Sequence, residues 1–246
     1  MSRAGRAAGW VVALALCGIV ALGVTRWTDI QFELGYAYEN GNFHGWTPGF
    51  SRDYREASRW LSGAASANHP RAQYRLGILH AHGWGVPEDK AQAVAWFTRS
   101  ARNGYGPACY HLGWIRHNGD GVPRDDVLAV QLLEQAAEQG MVAAHLALGR
   151  FYERGEGVPT DLAQAYKWTT LAVHFARTRP ERFDNADFAK RAQAAHNALA
   201  LQLNTSSEAQ GRTFARQWLA ALSAVARSTP QPGQSNGLGS MAHHLR

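Results

Sequence analysis

The chain has 246 residues, of which 46% are hydrophobic and 11% aromatic, and this content can bury a core, which excludes a disordered or collagen-like protein. The formal net charge is +6, but three of the basic residues flank an apolar segment at the N terminus, and the remainder carries 22 basic against 19 acidic residues. A charge so small and dispersed excludes a nucleic-acid-binding protein, which needs a clustered basic face.

The N terminus begins with a segment of membrane-spanning length. Residues Ala7–Thr25 run for 19 positions without a charge. A helix rises about 1.5 Å per residue, so this run is just long enough to cross a hydrocarbon core of about 30 Å. Arg3 and Arg6 precede it. By the positive-inside rule they keep the short N terminus in the cytoplasm and place residues 27–246 on the exported, periplasmic side.

We expect residues 1–26 to be an uncleaved signal-anchor, so that the protein contacts the membrane through an N-terminal helix. Arg26 and Trp27 follow the run directly, and both residue types are common at the membrane interface. The alternative is a cleaved signal peptide and a free periplasmic protein. The small-residue site available for cleavage, Ala21-Leu22-Gly23, is a poor one.

A repeat with a period of 36 residues fills the middle of the chain. The pair Leu-Gly recurs at positions 76, 112 and 148, each time followed by Gly-x-Gly-Val-Pro and an aspartate. An earlier, degenerate copy contains Leu34-Gly35 and has six extra residues between Gly41 and Asp53. A period between about 20 and 50 residues predicts a solenoid or array. The four predicted copies fill residues 28–176, at about 30–71, 72–107, 108–143 and 144–176.

Each copy has the pattern of a helical hairpin. In the second copy, apolar residues follow helical spacing over Ala72–Gly83 and again over Ala93–Ala101. Gly83 and Gly85 can adopt the positive φ that ends the first helix and turns the chain. Asp89 lies where a carboxylate caps the N terminus of the second helix. The sequence therefore predicts two short amphipathic helices per copy.

The shared pattern, Ala-x3-Leu-Gly-x5-Gly-x-Gly-Val-Pro-x-Asp-x3-Ala, closely resembles the Sel1-like repeat, a relative of the tetratricopeptide repeat. The resemblance covers residues 30 to about 176. It implies an all-α fold, a right-handed α-solenoid of helical hairpins, which here would follow the transmembrane helix. It also implies a non-enzymatic adaptor or scaffold that binds a protein partner, because members of this family mostly act so and are often exported or membrane-attached in bacteria.

The chain after the fourth copy is predicted to close the solenoid. We expect a helical cap over residues 177–227, because Asp187–Arg227 is rich in Ala and Leu and Asn204-Thr205-Ser206 is a capping stretch before a further helix. We expect a terminal helix over Ser206–Trp218, with an apolar side formed by Ala209, Phe214, Ala215 and Trp218. Residues 228–246 turn to Pro, Gln, Gly, Ser and Asn, which predicts a disordered tail.

We expect no catalytic residue, no metal site and no cofactor. The eleven histidines lack one-turn pairs, and the Gly-x-Gly units follow helices, whereas a phosphate-binding loop follows a strand. Serine-nucleophile signatures are missing. Some secreted proteins similar to this family are cysteine-rich and have been linked to β-lactam binding, which makes a β-lactam-binding hydrolase one alternative. That group has paired cysteines in each repeat, whereas this chain has Cys17 and Cys109 alone.

The predicted partner-binding surface is the inner wall formed by the first helix of each copy, by analogy with tetratricopeptide grooves. The partner-binding residues predicted there are Tyr36, Tyr74, His82, Tyr110, Trp114, His117, Arg150 and Arg154. The same register also places Phe32, Asn40, Ile78, Asn118 and Leu146 on the wall. Tyr, Trp and Arg are enriched in binding hot spots.

Three alternatives to this groove remain open at the level of the sequence. The aromatic side chains would be equally suited to the core between repeats. A peptidoglycan- or glycan-binding envelope protein would use the same Tyr and Trp platforms. A structural spacer on the membrane would use none of them. The sequence does not identify the protein partner.

Overall fold

The computed structural model describes residues 27–41, 51–178 and 186–228. These residues form ten α-helices and no strand. The predicted anchor over residues 1–26 and residues 229–246 of the predicted tail lie outside the described residues. None of the helices described combines the length and apolar character that crossing a bilayer requires. The all-helical class predicted from the repeat is confirmed.

Each of the four copies contributes two helices, as the periodicity predicts. The four hairpins are α1 (Trp27–Asn40) with α2 (Tyr54–Ser66), α3 (Pro70–His82) with α4 (Lys90–Arg102), α5 (Gly106–Asn118) with α6 (Asp126–Glu138), and α7 (Val142–Arg154) with α8 (Leu162–Thr178). Two further helices follow, α9 (Ala186–Ala200) and α10 (Thr205–Ser228). The helical C-terminal segment predicted after the repeats is thus two helices.

The chain divides into two compact units, and the division falls between Ala108 and Cys109, inside α5. The first unit contains the first two hairpins. Its buried cluster consists of Phe32, Ala57, Leu61, Ala64, Ala65, Ala72, Leu76 and Leu79. The second unit contains most of the third hairpin, the fourth hairpin and the two last helices, and Tyr166 of α8 packs there in one buried cluster with Leu199 of α9.

An aspartate caps the second helix of every copy. Asp89 accepts a hydrogen bond from the amide of Gln92 at 2.9 Å, which satisfies one of the N–H groups that the first turn of a helix leaves without a partner. The four capping residues are Asp53, Asp89, Asp125 and Asp161. The capping role predicted from the repeat is confirmed, including in the copy with six extra residues.

The second glycine of the turn is held against the preceding hairpin. Gly85 has a φ of +71°, and a Cβ built on it would lie 2.2 Å from the carbonyl oxygen of Tyr54. Gly157 has a φ of +72°, and its Cβ would lie 2.3 Å from the carbonyl oxygen of Asp126. Both the backbone conformation and the space therefore require glycine at these two positions.

The last helix is longer than predicted, and its predicted apolar side is confirmed except at one residue: Ala215 is 2% exposed, and the ring of Trp218 lies 6.2 Å from that of Trp168 on α8. The helix runs over Thr205–Ser228 instead of Ser206–Trp218. Ala209, predicted on the apolar side, is exposed. Gly211 lies close to the backbone of α8, because a Cβ built on it would lie 2.7 Å from the carbonyl oxygen of Ala163. Helical spacing identified the apolar residues of this contact but not Gly211, whose small size lets the two helix backbones approach.

Candidate partner-binding surfaces

In the first unit, Tyr36 lies in a contact between α1 and α3. The guanidinium carbon of Arg75 lies 4.9 Å from the centroid of the Tyr36 ring. The same guanidinium pairs with Glu39, with 3.1 Å between Arg75 Nη1 and Glu39 Oε1. Arg75 therefore covers one side of the tyrosine and neutralises a carboxylate one turn further along α1.

Glu39 is the residue of this contact that sequence reasoning missed. Its side chain is 7% exposed, and its Oε2 atom is buried without a hydrogen-bond partner among the described residues. Burial raises the pKa of Glu39, and the neighbouring Arg75 partly offsets the rise. The burial of Glu39 could not be predicted from the neighbouring sequence, because its partner Arg75 lies 36 residues away.

Tyr74 and His82, the other two predicted residues of this unit, lie in separate contacts. Tyr74 is half-buried, and its ring centroid lies 5.7 Å from that of Phe97 and 5.2 Å from that of Tyr105. Burial, with a smaller contribution from Tyr105, raises the pKa of Tyr74 to about 12. His82 is exposed at the end of α3 and stacks on Trp84, with 4.6 Å between centroids.

Phe32, which the same register placed on the wall, is 2% exposed and belongs to the core of the first unit. Its ring stacks on His69 at 4.7 Å and on Tyr36 at 5.9 Å. The wall prediction for Phe32 is therefore wrong, because its ring packs against His69 and Arg71 at the N-terminal end of α3. Phe32 therefore packs between repeats, which was the alternative for the aromatic side chains of the wall.

In the second unit, the structure brings three predicted residues together. The half-buried ring of Trp114 lies 6.3 Å from that of Tyr110 and 5.5 Å from that of His117, both edge-on. All three belong to α5. The ring of Phe151 on α7 lies 6.0 Å from Trp114 and 4.8 Å from His117. We call Tyr110, Trp114, His117 and Phe151 the aromatic cluster.

His117 is held in place by a carboxylate. Its Nδ1 lies 2.7 Å from Oδ1 of Asp126, the first residue of α6. Arg124 donates to the same carboxylate, with 2.7 Å between Nη2 and Oδ2. The hydrogen bond from Arg124, followed by that from His117, holds the pKa of Asp126 below its ordinary value. Sequence reasoning found His117 but missed Arg124 and Asp126.

The two arginines of the predicted set, Arg150 and Arg154, are exposed on α7. Arg154 makes a long ion pair with Glu156, at 3.7 Å. Arg150 precedes Phe151, which is 1% exposed, so one residue of this helix faces water while the next faces the interior. Sequence reasoning missed Phe151. Of the residues next to it in the sequence, Tyr152 is aromatic and Arg150 is charged, so the local sequence did not single out Phe151.

The part of the chain that the structure describes was searched for metal ligands and for activated nucleophiles. It contains no group of three or more metal-ligating side chains. Cys109 is a free, buried thiol, and burial raises its pKa to about 11. A thiol with such a pKa is not a nucleophile near neutral pH. His117 contacts Asp126, but among the described residues no hydroxyl or thiol is hydrogen-bonded to this histidine, as an activated nucleophile would be.

A comparison with protein-family models gives a match to the Sel1 repeat. The matched segments are residues 29–69, 70–105, 106–141 and 142–173. They overlap the four hairpins and start one or two residues before the copies read from the sequence. A search of curated protein sequences gives no match.

Among solved structures, the chain is similar to a Sel1 repeat protein from Oxalobacter formigenes, with 24% identity, a TM-score of 0.57, and coverage of 80% of this chain and 88% of that one. It is also similar to a protective antigen of uropathogenic Escherichia coli strains that displays an SLR fold, with 23% identity, a TM-score of 0.43, and coverage of 85% and 50%. The first likeness shows the fold; the second superposes too loosely to carry an argument.

Proposed function

Because this chain belongs to the Sel1 repeat family, we propose that it is a non-enzymatic adaptor of the cell envelope that binds a protein partner. The family's fold is typical of protein–protein interaction modules, which supports the general role. The proposed binding surface of the second unit is the aromatic cluster together with Arg150 and Arg154.

One observation carries this choice of surface. Trp114 is half-buried, so Phe151 and His117 hold its ring in place while part of it remains in water. A fixed aromatic ring binds at a low cost in conformational entropy. Two exposed arginines on α7 add donors for a partner's carboxylates. Trp, Tyr and Arg are the residue types that dominate binding hot spots.

The proposed location is the exported side of a membrane. It is supported by the 19-residue uncharged run and by Arg3 and Arg6 before it. The run would anchor the protein and leave residues 27–246 in the periplasm. A cleaved signal peptide would give the same compartment without the anchor.

Co-purification from membranes tests the adaptor proposal. The full chain would be cross-linked in cells, purified in detergent, and compared with the double variant Tyr110→Ala and Trp114→Ala. We expect the double variant to lose a specific cross-linked protein that the wild type captures. Trp96→Ala is the matched control, because Trp96 is also half-buried but contacts Arg99 on α4. Equal capture by all three proteins would contradict the proposed surface.

A second candidate, glycan binding, is favoured by one feature of the first unit. Trp84 is 40% exposed. Its ring is stacked with the ring of His82 at 4.6 Å and with the ring of Tyr54 at 5.2 Å between centroids. In the third and fourth copies its position is occupied by Asp120 and Glu156. Sedimentation with purified peptidoglycan, lost in Trp84→Ala, would support this function in place of protein binding.

A further inference from the structure

The first hairpin contains a pair of tryptophans, one exposed and one half-buried, at the N-terminal end of α1. Trp27 is the first residue of α1 and is 59% exposed. Its ring stands edge-on to that of Trp60 on α2, with 6.4 Å between centroids and 68° between planes. Trp60 borders a shallow open pocket that is also lined by Gln31, Glu56 and Arg59. We call Trp27, Gln31, Glu56, Arg59 and Trp60 the tryptophan edge.

The sequence leaves almost no linker between the uncharged run and this edge. The run ends at Thr25, so Arg26 alone separates it from Trp27. Two residues reach at most about 7 Å even when fully extended. The headgroup layer on one side of a bilayer is about 5–7 Å deep. If the run spans the membrane, Trp27 cannot leave the neighbourhood of the headgroups, and the ring contact carries Trp60 with it.

The chemistry of the edge fits that layer. Indole rings place an apolar body and a polar N–H at the boundary between hydrocarbon and water. Arg59 has a side chain that is 76% exposed and pairs with Glu56 at 2.8 Å. Long arginine side chains extend toward the headgroups while their stems contact apolar surface. The polar members of the edge would be costly in the hydrocarbon core but are compatible with the hydrated headgroup layer.

We propose that the tryptophan edge lies in the headgroup layer of the bilayer that anchors the chain. The first hairpin then lies against the membrane surface and is not separated from it by a flexible linker. This inference rests on the proposed anchor, and not on the identity of the partner. In this proposal the edge contacts the lipid headgroup layer, and the competing possibility is a contact with a second copy of the chain.

The test measures the depth of a label beside the edge. The full chain, with Cys17→Ser and Cys109→Ala, would be reconstituted into vesicles of phosphatidylethanolamine and phosphatidylglycerol. An environment-sensitive fluorophore would be attached through Arg55→Cys, an exposed position one turn before Arg59, or through Arg102→Cys at the end of α4 as the matched control. Lipids that carry a nitroxide on the headgroup then quench any label close to them.

We expect quenching at position 55 to exceed that at position 102 by about twofold or more, and to fall in Trp27→Gln, because this variant removes the interfacial ring. Trp27 is mostly exposed, so its replacement should leave the hairpin folded. Equal quenching at the two positions overturns the inference, as does quenching at position 55 that Trp27→Gln leaves unchanged. Energy transfer between two labels at position 55 without lipid quenching would overturn it in favour of a second copy.

An alkaline wash separates this failure from failure of the anchor. Protein that the wash releases from the vesicles has no span, and both the anchor and the tryptophan edge proposal then fall. Protein that remains in the vesicles but is quenched equally at both positions is anchored, and the tryptophan edge proposal falls alone.

Discussion

The ring of Trp114 stands edge-on to the ring of Phe151, with 6.0 Å between centroids and 74° between planes. The two residues are 37 positions apart and belong to neighbouring copies of the repeat. Trp114 is half-buried, whereas Phe151 is 1% exposed. One member of the pair is available to a partner and the other supports it from inside the second unit.

This difference predicts unequal costs of truncation. Trp114→Ala should lower the free energy of unfolding by about 1–2 kcal/mol, less than the roughly 3–5 kcal/mol typical of a fully buried aromatic ring. Phe151→Ala should show that full cost. Urea titrations of both variants in detergent would measure the two values. Equal losses would mean that Trp114 is a core residue, and the proposed binding surface would lose its central member.

The buried His145 predicts a loss of stability in acid. Burial lowers its pKa from 6.5 to about 4, although its hydrogen bond to the Met141 carbonyl at 2.7 Å opposes the shift. Below pH 6.5 the unfolded chain binds a proton that the folded chain excludes. Stability present above pH 6.5 is therefore lost as the pH falls towards 4, by up to about 3 kcal/mol in total. The charges of Lys167 and His174 disfavour the protonated imidazole further.

A matched variant isolates this contribution. His145→Leu should remove the part of the pH dependence between pH 6.5 and 4 that belongs to this residue. Glu39, whose pKa is raised in the folded state, changes stability in the opposite direction over acid pH, so the comparison between variant and wild type is required. Urea midpoints at pH 7 and pH 5 would give the difference. Parallel losses in the two proteins would show that His145 is not responsible.

Two glycines of the first unit allow backbone strain and steric clash to be separated. Gly85 and Gly104 have φ angles of +71° and +77°. A Cβ at Gly104 meets nothing within 4 Å, whereas at Gly85 it lies 2.2 Å from the Tyr54 backbone. Gly104→Ala should cost about 1–2 kcal/mol from the left-handed conformation alone. Gly85→Ala should cost clearly more, and thermal melts showing equal costs would contradict the close contact.

Removal of one repeat tests the modularity of the chain. Deletion of residues 108–143 joins positions that are equivalent in the 36-residue period. Because each hairpin of a repeat protein packs mainly on its neighbours, the shorter chain should remain helical and monodisperse. Circular dichroism and size-exclusion chromatography in detergent would show this. Recovery of aggregate alone would mean that the copies are not interchangeable.

The proposed topology predicts the side of the membrane on which the repeats lie. A reporter fused after residue 240 should be active if it requires the periplasm and inactive if it requires the cytoplasm. The reason is the placement of Arg3 and Arg6 before the uncharged run. Replacing both arginines by glutamate should weaken this orientation. Activity of a cytoplasmic reporter in the wild-type fusion would contradict the exported location.

The sequence by itself determined the frame of every hairpin. The turn glycines, the capping aspartates and the Leu-Gly pairs were all found from the period. Asp89 caps α4 through the amide of Gln92, three positions away, and Gly83 ends α3 with a φ of +67°. Such features depend on residues within one turn of each other. A local pattern therefore suffices to predict them.

The tertiary structure alone decided which residues of the predicted wall are accessible. Tyr74 packs on Phe97 and Tyr105. Glu39 forms an ion pair with Arg75, and the ring of Trp114 contacts that of Phe151. Each of these contacts joins residues more than twenty positions apart in the sequence. The sequence of a helix shows which of its residues are polar and which are apolar. It does not show which apolar residues a second hairpin covers. That choice depends on the packing of helices far apart in the chain, because burial requires a neighbour in space.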